Sequence, residues 1–265
     1  MRLITAMLSN MFLIGCLVSV PQAVRADTTP KSILRVSAGV GLKEALGTIQ
    51  KVYAQKQPSV ALEFNFAASG LLRKQIEQGA PVDLFLAPGQ QHLQALLDGG
   101  FTDVRHTCSL LGNRLLLIVA KEKRHEIKGF ADLVEGADSI AIGLPEVVPA
   151  GSYARQTLAH LGLWERLEPR IVYGKSVRQV LAYVESGNVD AGLVFASDGL
   201  VMNSAVVAAV APANRHSPIV FSLAGMLASP HPVALQAFMD FLQGEEAASI
   251  FGRYGFTPLL SLPGH

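Results

Sequence analysis

Short β-branched runs alternate with stretches of helical periodicity along most of this 265-residue sequence. That alternation restricts the chain to folds in which a sheet is covered by helices. Residues 33–38 read as a first strand. Leu42, Ala45, Leu46, Ile49, Val52 and Tyr53 then fall on one apolar helix face. Residues 61–66 form the next strand, followed by a helix opened by Ser69 and carrying Leu72 and Ile76. Residues 83–87 form a third strand, before a helix through Leu93 and Leu97. The pattern then restarts with strands at 115–120, 139–142, 170–173 and 191–195, a helix from near Gly151, and another carrying Val177, Val180, Leu181 and Val184. Two further strands, 206–210 and 219–223, and two helices over about 233–242 and 245–254 complete the reading. The expected architecture is α/β with two lobes, each a mixed, mostly parallel sheet flanked by helices. Residues 27–112 open the first lobe, 113–198 form the second, and 199–265 return to the first.

The first 26 residues form a targeting segment: Arg2, an apolar run from Leu3 to Val20, the break at Pro21, and small residues ending at Ala26. Leu13-Ile14-Gly15-Cys16 offers a second reading, a lipid anchor at Cys16. Cleavage after Ala26 is preferred, because Leu17 and Val18 continue the apolar run where a lipidated cysteine is usually followed by small polar residues. Either route places the chain outside the cytoplasm, in the periplasm if the leader is cleaved. With Cys16 removed, Cys108 has no disulfide partner and is expected to be a small buried hydrophobe. Removing Arg2 and Arg25 leaves 20 basic against 21 acidic residues. That balance argues against a nucleic-acid partner, which requires a basic surface.

The informative positions are turns from strand to helix. A helix start presents amides with no intrahelical acceptor at the positive end of the dipole, and small residues let an anion reach them. Four turns are of this kind: Ala38-Gly39-Val40-Gly41, Ala67-Ala68-Ser69-Gly70, Pro149-Ala150-Gly151-Ser152 and Lys175-Ser176-Val177-Arg178. Each also has a plain reading, with Ser69 and Ser176 as N-caps and Ser176 with Gln179 as a capping box. Dinucleotide, phosphate-loop, zinc-protease and nucleophile-elbow signatures are absent from the sequence. An enzyme is therefore not expected, and neither a cofactor nor a cation site is.

Five stretches, in this order and spacing, resemble the periplasmic molybdate-binding proteins: Arg73 to Phe85 (RKQIEQGAPVDLF), Pro145 to Ala154 (PEVVPAGSYA), Leu161 to Leu167 (LGLWERL), Val177 to Glu185 (VRQVLAYVE) and Phe251 to Thr257 (FGRYGFT). The resemblance implies a type II periplasmic binding fold. Its interlobe cleft would close on molybdate or tungstate through neutral donors, and a membrane permease of an ABC importer would receive the anion from a monomeric carrier. It implies ligand contacts at Gly41, Ser69, Ala150, Val177 and Phe195, with Trp164, Tyr254 and Phe256 as packing residues. Two positions depart from the family pattern. Gly41 stands where a serine is usual and Phe195 where a tyrosine is usual, which removes two hydroxyls. A hydrogen bond to a charged group contributes about 1.5–3 kcal/mol, so the two losses together amount to roughly 10²–10⁴ in affinity. Either Lys175 or Ser176 is expected to offset part of that, the alternative being that Lys175 points into water. A different oxyanion, sulfate or phosphate, is the alternative ligand, and an anion-sensing module the alternative role.

Overall fold

The computed structural model describes residues 32–259. The leader and its Cys16 lie outside the described residues. The chain opens with β1 (Ser32–Gly39), a 3-10 turn at Val40–Leu42, α1 (Lys43–Lys56), β2 (Val60–Ala67), α2 (Ser69–Glu77), β3 (Leu84–Pro88) and α3 (Gln90–Asp98). β4 (Thr107–Gly112) leads to β5 (Leu115–Val119), α4 (Leu133–Gly136), β6 (Ile140–Gly143), α5 (Pro149–His160), α6 (Trp164–Leu167), β7 (Ile171–Gly174), α7 (Val177–Glu185), β8 (Ala191–Phe195) and α8 (Ala196–Gly199). The last elements are β9 (Val206–Val210), β10 (Val220–Gly225), α9 (Pro232–Gln243), α10 (Glu245–Arg253) and β11 (Thr257–Pro258).

The strands form two sheets, a six-stranded one in the order β11-β4-β10-β3-β1-β2 and a five-stranded one in the order β7-β6-β8-β5-β9. β1 pairs in parallel with β2 and β3, and β6 in parallel with β7 and β8. The remaining pairs are antiparallel, so the parallel share is confined to three strands in each sheet and is smaller than the βαβ pattern suggests. β3, β5 and β8 are buried along their whole length, which matches their unbroken apolar sequences. Helix α1 turns Ala45, Leu46, Ile49 and Tyr53 inward, and the Tyr53 ring lies 4.8 Å from Phe238 and 5.1 Å from Phe241 on α9.

One boundary expectation is corrected. Residues 199–265 do not return as a block to the first lobe, because Val206–Val210 pairs antiparallel with β5 and forms the edge of the five-stranded sheet. The pairing covers the side of β5 that β8 leaves free. The chain re-enters the six-stranded sheet only with β10, which lies between β3 and β4. β4 itself has no clear pattern in sequence, since Thr107, Cys108 and Ser109 give little apolar alternation, and its pairing with β10 defines it. Cys108 is half-buried and free, and burial raises its thiol pKa. The three packing residues stand as read: Trp164 lies under the Arg155 guanidinium, Tyr254 shares a 2.7 Å hydrogen bond with the Thr48 hydroxyl, and Phe256 meets Phe221 edge-on at 5.1 Å.

Candidate functional site

Between the sheets lies a small cleft lined by Gly41, Ser69, Ala150, Val177 and Phe195, together with small and apolar neighbours such as Gly39, Ala68, Pro149 and Phe221. All five contacts expected from sequence are brought together here. Gly41 sits in the 3-10 turn after β1, Ser69 is the first residue of α2, Ala150 the second of α5, and Val177 the first of α7. Each amide is in a first turn, where helix geometry supplies no acceptor. The cleft thus collects four positive helix or turn starts around a small volume, without a cationic side chain among its lining residues.

Local sequence explains each start. Pro149 at the first position of α5 fits a helix entry whose missing N–H would be unpaired anyway. Gly151 is required there, because a Cβ would stand 1.7 Å from the carbonyl oxygen of Gly143. At α7 the Ser176 hydroxyl accepts from Gln179 N at 3.2 Å. The Gln179 side chain returns one residue earlier than a capping box requires, accepting from Lys175 N at 2.7 Å. At α2 the cap is Ala68, so Ser69 is not the N-cap it resembled in sequence and its hydroxyl is not engaged in capping.

The two extra positions behave differently from the five. Lys175 is exposed, Ser176 spends its hydroxyl on the cap, and neither lines the cleft. The Phe195 ring meets Tyr153 and Phe221 edge-on at 6.2 and 5.5 Å. The nearby Tyr153 phenol donates to Pro218 O at 3.3 Å and does not replace the hydroxyl that Phe195 lacks.

Behind the lining lie groups that sequence reading did not single out. Asp198 on α8 has no exposed surface, and its Oδ1 stands 3.2 Å from where a Gly41 Cβ would be. Burial pushes its carboxyl up to about 7, against the opposing pull of Arg178. His92 on α3 is buried beneath Gly70 and Gly89, and burial, reinforced by Arg73, lowers its imidazole to about 4. Periodicity could mark His92 as helical, whereas the four residues of α8 are too few to show any, and only the packing of distant elements makes the two residues buried neighbours of the cleft. Among the described residues no cluster of three His, Cys, Asp or Glu could hold a metal ion, and no helix is long and apolar enough to cross a membrane.

Residues 34–257 match the family model of bacterial extracellular solute-binding proteins. The chain is 40% identical over 231 residues to a putative ABC transporter substrate-binding lipoprotein, YvgL, of Bacillus subtilis, covering 87% of this chain and 88% of that protein. It is 34% identical to the molybdate-binding protein ModA of Escherichia coli, covering 84% and 88%. A solved substrate-binding domain of a putative molybdenum ABC transporter from Clostridium difficile superposes with a TM-score of 0.69 at 36% identity, covering 85% of this chain and 98% of that domain.

Proposed function

Because the chain belongs to the bacterial extracellular solute-binding proteins, a family of binders rather than enzymes, we propose that it captures molybdate, and tungstate with it, in the cleft between its sheets and delivers the anion to the permease of an ABC importer. The observation that carries this reading is the convergence of Gly41, Ser69, Ala150 and Val177 on one small cavity. A tetrahedral dianion presents four oxygens, and first-turn amides can donate to them from several directions. Ser69 adds a hydroxyl donor. Neutral donors hold the charge without a counter-ion, and apolar neighbours such as Phe195 and Phe221 keep water from competing. Sulfate offers the same charge and shape, so cleft size has to separate the two anions. The protein would work as an extracytoplasmic monomer, reached through the leader or held by a lipid at Cys16, with no cofactor and no nucleic-acid partner.

Calorimetry of the anion-free protein against molybdate, tungstate, sulfate and phosphate tests the reading. Binding of the first two at micromolar or lower concentration, with sulfate and phosphate much weaker, is the expected result. Preference for sulfate or phosphate would replace the ligand, and no binding of any of the four would end the oxyanion reading.

A further inference from the structure

Arg178 follows Val177 and lies in the first turn of α7. Its Nη2 donates to Glu44 Oε2 at 2.6 Å, and its Nε is 3.0 Å from Asp198 Oδ1. Glu44 belongs to α1, three residues beyond Gly41. One guanidinium therefore ties the helix that presents the Val177 amide to the helix that follows the Gly41 turn. Of the ion pairs among the described residues, Arg178–Glu44 alone joins elements of the two sheets; the others stay within one unit. On another side of the cleft Gly70 N donates to Val147 O at 3.0 Å, a backbone link between the lobes.

The contact with Asp198 is unlike an ordinary surface pair. Neither carboxylate oxygen, nor the Nε that approaches one of them, makes an aligned hydrogen bond among the described residues. The 3.0 Å approach is a charge contact, and a buried carboxylate in that position depends on its cation. Asp198 also stands directly behind Gly41, which lines the cleft. Unscreened, its charge would oppose any anion held by the Gly41 amide. The elements packed against it, β5, β8 and the 3-10 turn, bring no ionisable side chain. On α7, Tyr183 is bonded to Gln179 and Glu185 to the backbone of Asn203 and Ser204, which leaves Arg178 and Glu44 as its charged neighbours.

We propose that Arg178 is the positioning residue for anion capture: it clasps α7 to Glu44 when the lobes close, and it screens Asp198 from the bound anion. This rests on the oxyanion reading for its ligand, while the clasp itself can be read without one. Glu44→Gln weakens the cross-lobe bond and leaves the cleft lining intact. Arg178→Gln removes clasp and screen together. Arg178→Gln with Asp198→Asn removes the clasp and also the charge that needed screening.

The test is stopped-flow and calorimetric titration of the full mature chain with molybdate near pH 8, above the value of about 7 to which burial pushes Asp198, beside small-angle scattering of the ligand-free protein. Glu44→Gln is expected to release the anion about 3–10 times faster with an association rate within about twofold of wild type, because closed-state contacts act on dissociation. Its ligand-free radius of gyration should exceed that of wild type. Arg178→Gln should bind more weakly than Glu44→Gln, Arg178→Lys should recover part of the loss, and the double variant should bind about tenfold more tightly than Arg178→Gln while still releasing quickly. A purely structural role would lower the melting temperature without this split in rates. Unchanged rates and radius in Glu44→Gln would overturn the clasp, and a double variant no tighter than Arg178→Gln would overturn the screen. If Arg178→Gln does not fold, Glu44→Gln and the scattering comparison still decide the clasp, and Arg178→Lys against Arg178→Lys with Asp198→Asn decides the screen. If wild type binds none of the four oxyanions, the ligand reading fails, and the radius comparison alone judges the clasp.

Discussion

The wall of the cleft built on the six-stranded sheet offers one hydroxyl, at Ser69, and one bare glycine turn, at Gly41, whereas the wall built on the five-stranded sheet offers only backbone amides, at Ala150 and Val177, with the Phe195 ring beside them. Their supports differ as well. The second wall is fixed by Pro149 at a helix entry, by Gly151 against the Gly143 carbonyl, and by the Ser176 cap, all independent of any ligand. The first wall has no side-chain cap at either start. If the proposed anion sits here, the second wall is hard to alter by changing one side chain in contact with it, and the first wall is where such changes should register.

Ser69→Ala gives the largest expected effect of this kind. On the proposed oxyanion reading it removes a hydroxyl donor to the ligand while keeping the amide, a loss of about 1.5–3 kcal/mol, or roughly 10–150-fold in affinity. Calorimetry against molybdate measures it, and a change below threefold would mean that the first wall, like the second, works through its backbone alone. Gly41→Ser tests the same asymmetry in the opposite direction. The new Cβ would stand 3.2 Å from Asp198 Oδ1, so the carboxyl must yield by a few tenths of an ångström. We expect about tenfold tighter molybdate binding if the added hydroxyl faces the cleft. No gain would mean that Asp198 has captured the hydroxyl for itself.

How much of this was legible in sequence follows from the range of the interactions involved. The four starts could be read because a strand, a small-residue turn and an apolar helix face are neighbours along the chain, and local chemistry sets helix entry. β4 and the placement of β9 could not, because each is defined by pairing with a strand far away in sequence: β4 with β10, and β9 with β5. The same limit hid Asp198. It stands three residues past the Phe195 that the family pattern marked, yet its importance comes from Arg178 and Gly41, which only the folded chain brings beside it. Ser69 shows a subtler failure, since Ser followed by an apolar run reads as a cap and the structure moves the cap to Ala68. That shift of one residue separates a hydroxyl spent on the helix from one available to a ligand.

Acid should expose a weakness on the first wall. His92 lies beneath Gly70 and Gly89, and the charged groups facing it are Arg73 and Glu77 of α2. An unfolded imidazole titrates near about 6.5, and the folded one is lowered to about 4. Between those values the unfolded chain binds the extra proton, so stability from this site is full above about pH 6.5 and falls as pH drops toward 4. Thermal unfolding followed over that window should show the decline in wild type and a shallower one in His92→Gln. Parallel profiles would remove His92 from the account.

Lys175 gives the smallest expected effect and the clearest check on the second wall. In sequence, an ammonium just before Val177 looks like compensation for the missing hydroxyls at Gly41 and Phe195. In the structure the side chain is exposed and outside the cleft lining, while its amide serves the Gln179 side chain. An exposed charge acts on a bound dianion only through solvent and salt, with a screening length of about 8–10 Å. Lys175→Ala should therefore change molybdate affinity by less than about twofold at physiological ionic strength, with a change in salt slope visible only in dilute buffer. A tenfold loss that persists at high salt would mean that the lysine folds into the cleft when the anion binds, and that the second wall carries a side-chain contact after all.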